Sequence, residues 1–246
     1  WDREAAVKRV DIRPATEDVA TGGVPVQPRG HHWRPTATPA TIVWVEALDG
    51  GDPNRDVPVR DRVMMLEAPF DSPPRVVTKL EHRFSKILWG ETRGVALVRE
   101  YESTRNLYRT WLVNPDNSDI PDQLLPGWSH SVNERYEHPG YPLMRQLSNG
   151  KRAMRVHQQA IFLNGNGSSP TGDRPFLDRL NLVTFKREIL FKCPADSYEA
   201  VVALMSDDGE EFVTRHETES KHPNYFIRRL GVAERKPLTN FEDPAK

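Results

Sequence analysis

Apolar residues in this chain fall in short runs, alternating or nearly alternating with polar residues and broken by turn formers, the period-two signature of half-buried strands. The pattern recurs. DRVMMLEA from Asp61, YRTWLVNP from Tyr108, LDRLNLVT from Leu177 and YFIRRLGV from Tyr225 share their aromatic and branched content, and their starts lie 47, 69 and 48 residues apart. Each is followed by a turn segment and a second run: RVVTKL from Arg75, DQLLPG from Asp122, REILFK from Arg187 and KPLTNF from Lys236. Each is preceded by another pair: HHWRPTATPATIVWVEAL, FSKILWGETRGVALVREY, MRQLSNGKRAMRVHQQAIFLNG and AVVALMSDDGEEFVTRHE. The last holds Asp208-Gly209 between its two strands, a dipeptide that favours a tight hairpin. No segment longer than about ten residues sustains the 3.6 period of a helix behind a capping box.

Four strands repeated four times describe small sheets that must bury their faces against one another. The expected fold class is all-β: a partial β-propeller of about four four-stranded antiparallel blades. Residues 1–30 are expected to hold the tail of a preceding blade and a linker, with blades over 31–82, 83–127, 128–192 and 193–246. The third blade starts with an insertion loop, 126–142, whose sequence PGWSHSVNERYEHPGYP carries three prolines and no periodicity. An incomplete ring leaves two apolar sheet faces exposed, so the isolated segment is expected to self-associate or to belong to a larger molecule.

Composition narrows the functional classes. Lys plus Arg number 34 against 35 Asp plus Glu, giving a formal net charge of −1, and the signs are interspersed. That balance provides no electrostatic footprint for nucleic acid or an anionic membrane surface. No run reaches the roughly 20 apolar residues of a membrane-spanning helix, so membrane insertion is not expected. Cys193 is the only cysteine, which excludes an internal disulfide framework and reads as a buried thiol.

The motifs of common catalytic sites are missing: no GxSxG elbow, HExxH pair, GxxxxGK phosphate loop or GxGxxG turn occurs. GNGSSPTGD from Gly165 resembles a phosphate loop in composition only and reads as a hairpin loop. Its Asn166-Gly167-Ser168 is a glycosylation sequon, relevant only in a eukaryotic secretory setting. His31 and His32 are adjacent on an expected strand and so point to opposite faces, which argues against a shared metal ion. His216, Glu217 and Glu219 are expected at a blade edge as solvated charge. No catalytic residue, metal or cofactor is expected in this chain. The segment REYESTRNLYRTW from Arg99 interleaves arginines with aromatics. Arg105, near its turn, and Arg109, on the returning strand, are the candidate substrate contacts, suited to bidentate binding of a carboxylate. The alternative for both is a cross-strand ion pair with Glu100 or Glu102.

WVEALDGGDP from Trp44, RTWLVNP from Arg109, GDRPFLDRL from Gly172, and PNYFIRRL from Pro223 followed by LTNFEDP resemble, in order and spacing, the propeller of prolyl oligopeptidase-family serine peptidases of the glutamyl endopeptidase-like branch. The resemblance implies that the chain covers the later propeller blades and that a C-terminal α/β-hydrolase domain of the same polypeptide carries the catalytic triad. It further implies a peptide substrate, cleavage after acidic residues, and a periplasmic or secreted location in a bacterium or an organellar one in a plant. A freestanding propeller acting as a protein-binding scaffold is the alternative. The segment keeps Glu100, Arg109, Thr110 and Trp111 of the family pattern, but Glu102-Ser103 and Asn106-Leu107 replace an aromatic pair and a denser basic run. Phe185 stands after Thr184 where the family places glycine, an awkward choice if the turn requires positive φ.

Overall fold

The computed structural model describes residues 19–37 and 39–242, so the expected blade tail at residues 5–12 lies outside the described residues. Strands β1 (Arg29–Trp33), β2 (Thr41–Ala47), β3 (Asp61–Glu67) and β4 (Arg75–Leu80) form the first sheet; β5 (Arg83–Trp89), β6 (Ala96–Glu102), β7 (Leu107–Val113) and β8 (Gln123–Ser131) form the second. Both are antiparallel meanders in sequence order, as short turns between consecutive runs require. The fourth sheet repeats the plan with β16 (Tyr198–Leu204), β17 (Glu211–Thr218), β18 (Lys221–Arg229) and β19 (Lys236–Pro237).

The third sheet departs from the expected four strands. β13 (Ala160–Gly165), β14 (Phe176–Asn181) and β15 (Arg187–Lys192) are regular, but two fragments share the first position: β9 (Tyr141–Pro142) and β12 (Val156–His157), both paired to β13. Between them β10 (Met144–Gln146) and β11 (Arg152–Met154) leave the sheet as a separate hairpin. Backbone bonds close the gap: Leu143 donates to Phe162 O at 2.8 Å, and Arg155 donates to Leu143 O at 2.9 Å. The run expected as one strand pair is therefore two hairpins. The expected loop 126–142 is also corrected, because β8 extends through Pro126 to Ser131 as an edge strand, where a proline withholds no ladder bond.

Burial explains why the sheets stack. Val43, Val45, Val63 and Met65 of the first sheet pack with Trp89, Ala96 and Val98 of the second. The opposite face of the second sheet, through Leu97 and Leu125, meets Met154, Ile161 and Leu163. Phe162 and Leu177, on the far face of the third sheet, meet Val201 and Phe212 of the fourth. Alternate residues of one strand thus serve different interfaces, which is why Ala160–Leu163 is buried throughout. A large side chain gains about 1.5–3 kcal/mol on full burial, so an isolated sheet would forfeit most of its stabilisation. On the last sheet Val202 and Met205 remain about half exposed, at 50% and 53%.

At one rim, arginines tie each sheet to the next. Arg34 binds Asp116 through two bonds of 2.6 Å, and Asp116 also accepts from Gly94 N at 2.7 Å. Arg145 lies 3.2 Å from Glu91, and both Arg145 and Arg155 bind Asp207. Phe185 has φ +56°, the left-handed value that its turn demands, and its ring packs against the core between the second and third sheets. Burial of that ring offsets a backbone cost of about 1–2 kcal/mol.

Candidate functional site

The turn Ser103–Asn106 joins β6 to β7, and Asn106 takes φ +50° while its side chain accepts from Tyr101 Oη at 2.7 Å. Asparagine tolerates that conformation better than most residues. Glu102, at the end of β6, is the centre of a charged group. Arg109 Nη2 donates to it at 3.0 Å, Arg105 Nη1 lies 3.6 Å away, and His82 Nε2 is also at 3.6 Å. Arg109 donates its other arm to Glu81 at 3.1 Å. Both candidate arginines are therefore drawn to Glu102. Glu100 is fully buried and otherwise engaged, accepting from Trp111 Nε1 and His82 N at 2.8 Å each. Arg109 is held on both arms, whereas the Arg105 side chain is 64% exposed.

The same β-sheet presents a second group on its face towards the third sheet. Lys86, Arg99 and Thr110 sit side by side in register across β5, β6 and β7. His130 of β8 and the segment His138–Pro142 complete a cavity of about 30 Å³ with Trp128 at its wall. An aromatic series runs along it. The Arg99 guanidinium lies 4.5 Å over Tyr108, Tyr108 is 6.2 Å from His130, His130 is 5.0 Å from His138, and His138 is 4.5 Å from Tyr141. Gly140 N donates to His138 Nδ1 at 3.0 Å, so the neutral ring carries its proton on Nε2. His138 and Tyr141 also line an adjoining cleft of about 210 Å³ with Arg135, Asn166 and Asp173.

Electrostatics in the cavity are one-sided. Burial and then the Arg99 charge push Lys86 below the usual ammonium range. Burial first, then Arg99, lowers His130; burial, His130 and Arg99 lower His138. Three buried polar atoms, Arg99 Nε, Thr110 Oγ1 and His130 Nδ1, have no hydrogen-bond partner among the described residues. Leaving such a group unsatisfied costs about 1–3 kcal/mol. Lys86, His130 and His138 escaped the sequence reading because a bulge between Phe84 and Lys86 shifts the hairpin register, and because 132–140 folds back from beyond the second sheet. The interleaved arginines and aromatics from Arg99 were the one local signal.

His31 stacks on Trp44, while His32 donates from Nδ1 to Gly30 O at 2.9 Å and faces Trp89 Nε1 at 3.3 Å. The two imidazoles have different partners. His216 is not at an edge: β17 lies between β16 and β18, and His216 is 7% exposed against Phe226. Burial, followed by Arg235, lowers its pKa. Cys193 is fully buried, receives Glu199 N at 3.0 Å, and has its thiol pushed up by burial.

Four stacked antiparallel sheets with cores between consecutive members define this chain as a segment of a β-propeller. It is related to proteins named as glutamyl endopeptidases. It is 33% identical over 94% of its length to "Probable glutamyl endopeptidase, chloroplastic" of Oryza sativa subsp. japonica, and 28% identical over 97% to the Arabidopsis thaliana protein of the same name. The chain spans about a quarter of those relatives, 26% of each. The β-propeller domain of the Trilobed protease from Pyrococcus furiosus aligns over 87% of this chain and 58% of its own, with 13% identity and a TM-score of 0.42. No family model matches the chain.

Proposed function

We propose that this chain is the non-catalytic propeller part of a longer serine endopeptidase of the prolyl oligopeptidase family, restricting substrate access and shaping the cleft over a C-terminal α/β-hydrolase domain of the same polypeptide. The observation that carries this reading is the 33% identity across 94% of the chain to a named glutamyl endopeptidase of which it spans only 26%. The absence of a GxSxG elbow from this sequence accords with a division of labour in which the acyl-enzyme nucleophile lies elsewhere. Arg105 is the proposed contact to peptide carboxylates, because its guanidinium is largely exposed and only loosely held by Glu102. Arg109, tied by both arms to Glu81 and Glu102, keeps that turn in place and adds positive charge beside it.

The test is fluorophosphonate labelling of the full-length polypeptide and of this chain side by side, with the labelled peptide located by mass spectrometry. Labelling of the full-length polypeptide alone, at a serine outside residues 1–246, is expected. Absence of label from both would overturn the peptidase reading and favour a protein-binding scaffold; label within this chain would overturn its non-catalytic role.

A further inference from the structure

We propose that the cavity lined by Lys86, Arg99, Thr110, His130 and His138 is a binding site for a compact monoanion of halide size, held between the second and third sheets. Three independent features meet there. The first is charge: among the described residues neither Lys86 nor Arg99 has a carboxylate within ion-pair distance, and no acidic residue lines the cavity. Glu134 is the carboxylate that acts on His130 and His138, but its Oε1 accepts from the backbone N–H groups of Tyr136 and Glu137 at 2.7 and 2.9 Å. It is already engaged outside the cavity.

The second feature is the set of unused polar atoms. Arg99 Nε can only donate, Thr110 Oγ1 can turn its proton inwards, and His130 Nδ1 can carry one, so an acceptor in the cavity these residues line would answer a demand common to all three. Thr110 is only 4% exposed, which leaves its hydroxyl no access to bulk water. Water would answer the hydrogen-bond demand but would leave the Arg99 guanidinium without a counter-charge in a site where burial already disfavours charge on both histidines. The third feature is size. A volume of about 30 Å³ admits one or two occupants the size of water. A phosphate or a peptide side chain with its backbone does not fit.

The site sits where the loop 132–140 closes on the second sheet, so the occupant would link β5–β8 to the His138–Pro142 segment of the third. Anion binding would then stabilise the packing of two sheets.

The experiment uses the full-length protein crystallised in sodium bromide, with an anomalous map, and melted in chloride or gluconate at equal ionic strength. A bromide peak beside Arg99 Nε and Thr110 Oγ1 is expected, together with a melting midpoint that rises saturably with chloride but not with gluconate. Arg99→Met should abolish the peak and the chloride response. Thr110→Val, which preserves shape and charge, should weaken chloride at least tenfold and keeps the test decisive if Arg99→Met does not fold. Equal melting in both salts, or bromide bound only elsewhere on the surface, would overturn the proposal.

Discussion

Gly209 is a position where one added carbon should disturb the contact between two sheets. It lies in the β16–β17 turn with φ +78°, and a Cβ there would stand 2.4 Å from Cε1, 3.0 Å from Cδ1 and 3.1 Å from Cζ of Phe162 in the neighbouring sheet. Phe162 is fully buried against Leu177, Leu190, Val201 and Phe212, so its ring has no space to retreat into. Gly209→Ala therefore combines a left-handed alanine, about 1–2 kcal/mol, with an overpacked core, about 1–3 kcal/mol. The expected sum is about 2–5 kcal/mol, read as a lowered urea midpoint at unchanged slope. The two parts separate in a double-mutant cycle. In a Phe162→Leu background the clash is gone, and the alanine should cost only its backbone share, about 1–2 kcal/mol. A loss below about 1 kcal/mol in the parent, or the same loss in both backgrounds, would refute the argument that this turn is set by contact with the next sheet.

Two further variants probe the fold. Glu199 is fully buried and binds Arg228 at 2.7 and 2.8 Å, Arg235 at 3.0 Å and Thr214 at 2.5 Å. Burial alone would raise its pKa, but the bonds from Arg228 and Thr214 and both arginine charges hold it below 4.5. Because the folded pKa lies below the unfolded one, this stabilisation is fully present well above pH 4.5 and fades as pH falls through the folded value. Glu199→Gln should cost about 2–3 kcal/mol at pH 7, a figure reduced for the partly exposed arginines. Unfolding midpoints of both proteins from pH 7 to 3 should converge, and a constant gap would refute the assignment. In the β12–β13 turn, Gln158 and Gln159 both take positive φ, +46° and +62°. Replacing them with Asn-Gly should raise stability by about 1 kcal/mol; no gain in the denaturation midpoint would mean the turn is not strained.

How much of this was legible beforehand follows from the range of each cue. Strand β3 lies within the run found from Asp61, and β7, β14 and β18 overlap the runs from Tyr108, Leu177 and Tyr225 but start earlier, at Leu107, Phe176 and Lys221. Asp208-Gly209 marked a turn that forms. The resemblance carried by GGDP and GDRPFLD agrees with relatives aligned over nearly the whole chain. The expected loop at 126–142 begins only after Ser131, because an edge strand accommodates Pro126, and ends where Tyr141–Pro142 joins the third sheet.

The sequence by itself determined the strands, most of their turns and the count of four large sheets, because side-chain alternation and turn chemistry are properties of neighbouring residues. It also determined that both arginines had carboxylates within reach. Only the tertiary structure decided that Glu102 rather than Glu100 receives them, that β9 and β12 share one place beside β13, and that Lys86, Arg99, Thr110, His130 and His138 surround one cavity. Those outcomes depend on strand register, on a bulge that shifts it, and on which sheet meets which. Such choices are set by packing between residues far apart in the chain, and no local pattern records them.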